Sequence, residues 1–138
     1  EFEAYKAQRE ATPEDIKASI PLIKKILEAY NIPVLEKEGF EADDVIGTLA
    51  KKADKDKFDV YMMTPDKDYG QLVEKHVFIY KPKYGSNEFE ILDDKKVMEK
   101  YRVSRPEQVI DLLGLMGDTS DNIPGSDPLK ICLKTVIN

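Results

Sequence analysis

Seven acidic residues of this chain fall into three short clusters, and their types and spacing could do chemistry. The clusters are Glu41-Ala42-Asp43-Asp44, Asp66-Lys67-Asp68 and Asp118-Thr119-Ser120-Asp121. Carboxylates at such close spacing repel one another unless a cation neutralises them, and oxygen ligands of this kind suit Mg²⁺ or Mn²⁺. The clusters therefore predict a divalent metal site, which in turn favours phosphate chemistry.

Each cluster also has a purely structural interpretation. Acids at a helix N-terminus, as predicted for residues 41–44, complement the helix dipole. The Asp66-Lys67-Asp68 cluster has the composition of a solvated turn, and so do Asp118 and Asp121 ahead of Pro124 and its glycine. Three such clusters on one predicted edge of the fold favour the metal site over three unrelated turns.

Apolar periodicity predicts the elements that must hold these acids. Thr12 is predicted as an N-cap with Pro13 at the first helical position, and apolar residues then recur at helical spacing as far as Tyr30. Pro21 either bends this helix or marks its beginning. Residues 32–35 are predicted as a short strand, and a second helix follows the first acidic cluster.

The second half of the chain continues the alternation of strands and helices. Residues 58–64 are predicted as a buried strand that ends at the second acidic cluster. Residues 76–80 and 88–92 alternate at period two, and a turn that includes Tyr84 joins them. The remaining predicted helices are a short one at 71–73, one capped by Asp93 or Asp94 that reaches Tyr101, and one opened by a capping box at 104–107 that reaches Met116.

This order predicts an α/β fold in which helices pack around a largely parallel sheet. Ligands of such sheets bind at the carboxyl ends of the strands. The second acidic cluster follows the strand at 58–64 and the first follows the strand at 32–35, so both are expected at one edge. On a helix, Glu41 and Asp44 share a face, whereas Asp43 points elsewhere.

Composition limits the classes of protein that fit. With 138 residues, 41% of them hydrophobic and 35% charged, the chain is expected to form one folded domain. Its single cysteine, Cys132, excludes an internal disulfide and fits a reducing compartment, so we expect a cytoplasmic protein. No apolar run approaches the roughly 18–20 residues of a membrane span. The net charge of −6 argues against a nucleic-acid partner, unless the clustered acids hold metal ions that reverse the local field.

Three segments resemble the motifs of the 5′-nuclease (flap endonuclease, PIN-like) family. They are residues 41–50, 64–73 and 117–125, and the run from Tyr5 to Arg9 also fits. The resemblance extends from residue 3 to residue 125 and is closest to the N-terminal 5′→3′ exonuclease domains of bacterial DNA polymerase I. It implies a Rossmann-like (PIN-like), mostly parallel sheet that is flanked by helices.

The resemblance implies an enzyme that hydrolyses DNA phosphodiesters at free 5′ ends or 5′ flaps with two divalent metal ions, usually Mg²⁺. It also implies DNA as substrate, a covalently linked polymerase domain as a partner, and no membrane. Lys6 and Arg9 match the basic residues of the family's helical arch or gateway, which contact the scissile phosphate. Tyr5 beside them either stacks on a base or packs. The resemblance also implies an inner-metal set of acids and an outer-metal set, which are Glu41, Asp43, Asp44 and Asp66 for the inner ion and Asp68, Asp118 and Asp121 for the outer ion.

The chain departs from the family pattern at both ends. Two further metal-binding aspartates of the family would precede Glu1, so residues 1–117 are expected to form a nuclease core fragment without its first strand. Residues 118–138 are expected to begin a C-terminal helical DNA-binding subdomain. Residues 126–132 lack the glycines of the family's helix-hairpin-helix. A working hairpin is therefore not expected here, nor is the K⁺ ion that relatives bind at it.

Two other functions stay open beside the nuclease. The first is a non-catalytic DNA- or metal-binding domain of the same fold, inactive because the N-terminal ligands are missing. The second, more distant, is an aspartate-based phosphoryl-transfer domain such as a receiver. A receiver needs one phospho-accepting aspartate and one Mg²⁺, and it leaves the segment at 117–125 unexplained.

Overall fold

A computed structural model describes residues 3–83 and 85–126 of the chain. Cys132, Tyr84 and most of the expected C-terminal subdomain lie outside this range. The order of helices and strands confirms the predicted α/β class. The elements are helices α1 (Glu14–Ala29), α2 (Ala42–Lys55), α3 (Asp94–Tyr101) and α4 (Val109–Met116), strands β1 (Val60–Met63), β2 (Val77–Pro82) and β3 (Phe89–Leu92), and two 3₁₀ helices, Lys67–Leu72 and Pro106–Gln108.

The strands form one sheet in the order β1-β2-β3. β1 runs parallel to β2, with Val60 opposite Val77. β2 and β3 are antiparallel, with Ile79 opposite Leu92, and they form the pair of strands predicted at 76–80 and 88–92. The parallel pair brings the carboxyl end of β1 to the edge where the second acidic cluster begins.

The core lies on one face of this sheet. Its buried residues come from all three strands and from α2, α3, α4 and the first 3₁₀ helix, and they include Met62, Val77, Leu92, Val97 and Val109. On the other face of β1, Tyr61 and Met63 are 54% and 72% exposed. The prediction of a buried strand at 58–64 is therefore wrong for one face, because only alternate residues of β1 pack against helices.

Helix α1 forms as predicted, but its first residue and its burial differ from the expectation. It begins at Glu14 with Pro13 in the N-cap position, so Thr12 is not the cap. Pro13 has an extended conformation that a proline ring readily adopts (φ −53°, ψ 145°). Pro21 lies inside the helix, and none of the helix residues is buried. None of the described helices is long and apolar enough to cross a membrane.

Residues 32–35 do not form the predicted strand. Ile32, Val34 and Leu35 are between 42% and 59% exposed, and no described strand pairs with them. Pro33 lacks an amide donor, which weakens any sheet that includes it. The β propensity of this segment is real, but a strand needs a partner for its backbone hydrogen bonds.

Of the two caps predicted in the second half of the chain, the one on α3 is confirmed and the one before α4 is displaced by one residue. Asp93 caps α3, and its carboxylate accepts a hydrogen bond from the Lys96 amide at 2.9 Å. Before α4, the side chain of Gln108 accepts from the amides of Ser104 and Arg105 at 2.8 and 3.1 Å. The box predicted at 104–107 is therefore wrong by one residue, because the observed box joins Arg105 and Gln108.

Candidate metal centre

The loop after β1 holds the second acidic cluster in a hydrogen-bonded turn. Asp66 caps the first 3₁₀ helix, and its carboxylate accepts from the Asp68 amide at 3.0 Å. The Asp66 amide donates to the Thr64 hydroxyl at 3.1 Å. From α3, the buried Tyr101 donates its hydroxyl to the Lys67 carbonyl at 3.2 Å. These bonds fix both aspartates of the cluster relative to the sheet.

Asp43 is the member of the first cluster that faces this loop. The hydroxyl of Tyr69, a residue that is only 4% exposed, donates to Asp43 Oδ1 at 2.7 Å. Burial and this hydrogen bond raise the pKa of Tyr69, so the hydroxyl stays protonated and keeps donating. Asp44 instead accepts from the Glu41 amide at 3.0 Å and so caps the start of α2. The shared face predicted for Glu41 and Asp44 is therefore used for capping.

The third cluster lies in a closed loop after α4. Asp118 and Ile123 exchange backbone hydrogen bonds of 2.9 and 2.7 Å, which close the loop. The Asp118 carboxylate accepts from the Ser120 amide at 2.8 Å and from the Ser120 hydroxyl. It also accepts from Lys67 Nζ at 3.2 Å. Lys67 therefore links the third cluster to the second.

The charges of the three clusters meet at Asp68. Partial burial raises the pKa of Asp68 above its ordinary value, and the charges of Asp66, Asp118 and Asp43 raise it further, while Lys67 opposes them. One acid each from the first and third clusters thus lies within electrostatic range of the second. The structure places three of the other predicted acids within electrostatic range of Asp68.

Three basic side chains pair with acids of the first and third clusters. The partners are Lys6 with Glu41, Arg9 with Asp121, and Lys67 with Asp118. The Glu41 carboxylate raises the pKa of Lys6 above its ordinary value. These pairs account for Glu41 and Asp121, neither of which is among the acids that raise the pKa of Asp68.

The predicted basic residues reach the site because their segment is tied to the third cluster. The Lys6 amide donates to the Asp121 carbonyl at 3.0 Å, and the Asn122 side chain donates to the Ala4 carbonyl at 2.9 Å. The Lys6 ammonium lies 4.7 Å from the centre of the Tyr5 ring, a distance at which cation and ring attract. Tyr5, Lys6 and Arg9 therefore lie at the edge of the acidic centre.

The donor set fits a hard divalent cation, although it does not form a closed cage. All the candidate ligands are carboxylates, the ligand type that Mg²⁺ and Mn²⁺ prefer. Within residues 3–83 and 85–126, no three His, Cys, Asp or Glu side chains are arranged so that they could hold a metal ion together. Mg²⁺ commonly keeps several waters and uses only one or two carboxylates directly, so an open donor set of this kind is compatible with it.

Sequence reasoning missed Tyr69, Lys67 and Ser120 as residues that organise the centre. Each stands inside or beside an acidic cluster, so proximity in sequence was the only available signal. Neither the hydrogen bond of Tyr69 to Asp43 nor that of Lys67 to Asp118 could be read from spacing, because the partners lie 26 and 51 residues away.

Because the pKa of Asp118 is lowered, we predict that Ser120→Ala changes the stability of the fold in a pH-dependent way. The Ser120 hydroxyl is the main cause that lowers the pKa of Asp118 from 3.8 to about 2, and the Ser120 amide and Lys67 add to it. A lowered folded-state pKa stabilises the fold above the unfolded value, and this contribution disappears as pH falls through about 2. We expect Ser120→Ala to lower the free energy of unfolding by about 1 kcal/mol at pH 7.

Urea unfolding in EDTA between pH 7 and pH 2.5 measures this effect. The difference in the free energy of unfolding between wild type and Ser120→Ala should become steadily smaller below about pH 4. Ser104→Ala is a suitable control, because the Ser104 hydroxyl has no hydrogen bond to any residue that the structure describes. A difference that stayed constant down to pH 2.5 would show that the hydroxyl does not act through Asp118.

Known proteins resemble this chain in sequence over most of its length. Residues 1–102 match the family model described as 5′-3′ exonuclease, N-terminal resolvase-like domain. DNA polymerase I of Bacillus caldotenax is 45% identical over 124 residues, which cover 90% of this chain and 14% of that protein. The 5′-3′ exonuclease of Aquifex aeolicus is 42% identical over 134 residues, which cover 97% of this chain and 44% of that protein. The chain thus spans less than half the length of these relatives.

Solved structures share the fold. The T5 D15 protein, co-crystallised with metal ions, superposes with a TM-score of 0.66 at 23% identity, over 91% of this chain and 49% of that one. The T5 D15 flap endonuclease, in a pseudo-enzyme-product complex with DNA and metal ions, gives 0.58 at 24% identity, over 88% and 44%. The likeness confirms the PIN-like class that the motifs predicted.

Proposed function

Because the chain belongs to the family of 5′-3′ exonuclease N-terminal resolvase-like domains, we propose that it hydrolyses DNA phosphodiesters at free 5′ ends and 5′ flaps. The observation that carries this proposal is the convergence of acids from three separate segments on Asp68, with Lys6 and Arg9 at the rim. The names of the relatives support DNA as the substrate and a linked polymerase domain as a partner.

We further propose Mg²⁺ or Mn²⁺ as the cofactor. Two bound ions would activate the attacking water and stabilise the leaving 3′ oxygen. The proposed principal ligands are Asp43, Asp66, Asp68 and Asp118. The other three acids, Glu41, Asp44 and Asp121, would complete the coordination directly or through water.

The other residues of the centre would position these acids and the substrate. Tyr69 holds Asp43 toward the second cluster through its hydroxyl. Lys6 and Arg9 carry fixed positive charge beside Glu41 and Asp121, and the same charges would balance the negative charge that develops on the phosphate. We keep the division into a core at residues 1–117 and a C-terminal helical subdomain from residue 118 as part of this proposal.

A metal titration with a DNA flap tests the proposed function. We expect a 5′-labelled flap duplex to be cleaved when Mg²⁺ or Mn²⁺ rises into the millimolar range, and cleavage to stop in EDTA. Cleavage that continues in EDTA would contradict a metal-dependent mechanism. The absence of cleavage at every metal concentration would contradict the nuclease function itself.

A second candidate is a non-catalytic DNA-binding domain of the same fold. Its support is that Glu41, Asp121 and Asp118 are each engaged by a basic side chain, and that no three described acids form a metal cage. Fluorescence anisotropy of the same labelled flap, recorded beside the cleavage assay, separates the two functions. A non-catalytic binding domain would bind the flap at every metal concentration, and the flap would stay uncut.

A further inference from the structure

A groove of about 670 Å³ lies between α2 and the first 3₁₀ helix, and it carries opposite charges along its length. Asp43 and Asp44 line it at the N-terminal end of α2, beside the acidic centre. Lys52 and Lys55 line it near the C-terminal end of the same helix. The groove therefore leads from the proposed metal centre to a basic surface.

Two of the three lysines at the basic end of the groove form no ion pair within the described part of the chain. Lys51 points to Glu74 and pairs with it. Lys52 and Lys55 are exposed and form no ion pair with any residue in 3–83 or 85–126. In a chain with a net charge of −6, two free lysines on one helix face are available to an anionic partner.

These lysines lie on one stripe of α2 that starts at the acidic centre. Asp44, Thr48, Lys52 and Lys55 follow one another at intervals of four, four and three residues, so they share a helix face. At about 1.5 Å of rise per residue, Lys52 and Lys55 lie roughly 12 and 17 Å beyond Asp44 along the axis. With about 3.4 Å between successive nucleotides of a duplex strand, this distance corresponds to four or five nucleotides.

We propose that Thr48, Lys52 and Lys55 form a binding surface for the DNA backbone, several nucleotides from the bond that is cut. The inference rests on the proposed function, because it takes DNA as the ligand. The two ammonium groups would pair with successive phosphates, and the exposed Thr48 hydroxyl would donate to a phosphate oxygen. Contacts of this kind fix the register of the nucleic acid and carry no sequence information.

The structural alternative is that both lysines only complement the dipole of α2. They lie in its last turn, where cations stabilise a helix. In that case their removal would slightly lower stability and leave DNA binding unchanged. Salt dependence separates the two roles, because each lost phosphate contact lowers the slope of log K against log salt by about 0.7–0.9.

The test is the double substitution Lys52→Gln with Lys55→Gln, assayed on a fluorescein-labelled 5′-flap duplex with Ca²⁺ in place of Mg²⁺. Anisotropy gives the dissociation constant between 50 and 200 mM KCl. We expect the slope to fall by about 1.4–1.8, so that the affinity lost over this salt range is about tenfold smaller than in wild type. The Lys52→Arg, Lys55→Arg variant should keep the wild-type slope.

Lys25→Gln with Lys95→Gln is the matched control. Both residues are exposed helix lysines outside the groove without a described ion pair, and their loss changes the net charge equally. A control that lowers the slope as much as the groove variant, or a groove variant with the wild-type slope, would overturn the binding surface. A wild type that fails to bind the flap would overturn it as well.

Cleavage in Mg²⁺, measured in parallel, distinguishes failure of this surface from failure of the proposed function. If wild type cleaves the flap but the slope does not depend on Lys52 and Lys55, only the binding surface is overturned. If the slope depends on both lysines but no cleavage occurs, the surface stands and the nuclease function falls.

Discussion

Asp68→Asn is expected to lower metal-dependent cleavage of a 5′ flap by roughly a thousandfold or more while the fold is retained. Asp68 is where the charges of the other clusters converge, and partial burial and three neighbouring acids all raise its pKa. The neutral amide keeps the shape of the side chain but cannot serve as an anionic ligand. Single-turnover cleavage at saturating Mg²⁺ measures the loss.

The same substitution should raise the melting temperature in EDTA. An acid whose folded pKa is raised destabilises the fold above its unfolded pKa, so removing the charge relieves that penalty at neutral pH. Asp111→Asn is the control, because Asp111 is exposed on α4 and has no described side-chain partner. Activity within tenfold of wild type for Asp68→Asn would remove Asp68 from the proposed ligands.

Gly117→Ala is expected to lower the free energy of unfolding by roughly 2–3 kcal/mol and to reduce cleavage together with it. Gly117 ends α4 with φ 67° and ψ 179°, a backbone region that only glycine adopts readily. An added Cβ would lie 2.3 Å from the Gly125 amide nitrogen and 2.6 Å from the Ile123 carbonyl oxygen. The loop that holds Asp118 and Asp121 would have to move.

Gly114→Ala, three residues earlier, is the matched control for this effect. Gly114 lies inside α4, and its added Cβ would meet no atom within 4 Å. Alanine is the better helix former, so this variant should gain about 0.5–1 kcal/mol. Urea unfolding and flap cleavage are measured for both variants. Equal stability of the two would show that the loop does not depend on the glycine.

Local signals in the sequence predicted the elements of the second half well. The carboxylate of Asp93 caps α3, because a cap depends only on residues within the same turn. The alternation at 76–80 and 88–92 became β2 and β3, which pair with each other, so each of these strands has a partner close in sequence. Residues 32–35 have the same kind of strand propensity and form no strand. A strand needs a partner for its backbone hydrogen bonds, and propensity contains no information about whether such a partner lies beside it.

The amino-acid sequence by itself determined the chemical type of the candidate centre and the family. The three acidic clusters, their order and their neighbours are local patterns, and they indicate oxygen ligands for a divalent metal without any coordinates. Tertiary structure alone decided which acids meet. Asp43 faces the centre because Tyr69 holds it, and Asp44 caps α2 instead. The pKa of Asp68 is raised by the charges of Asp43 and Asp118, which lie 25 and 50 positions away in the chain, and only packing brings them within range.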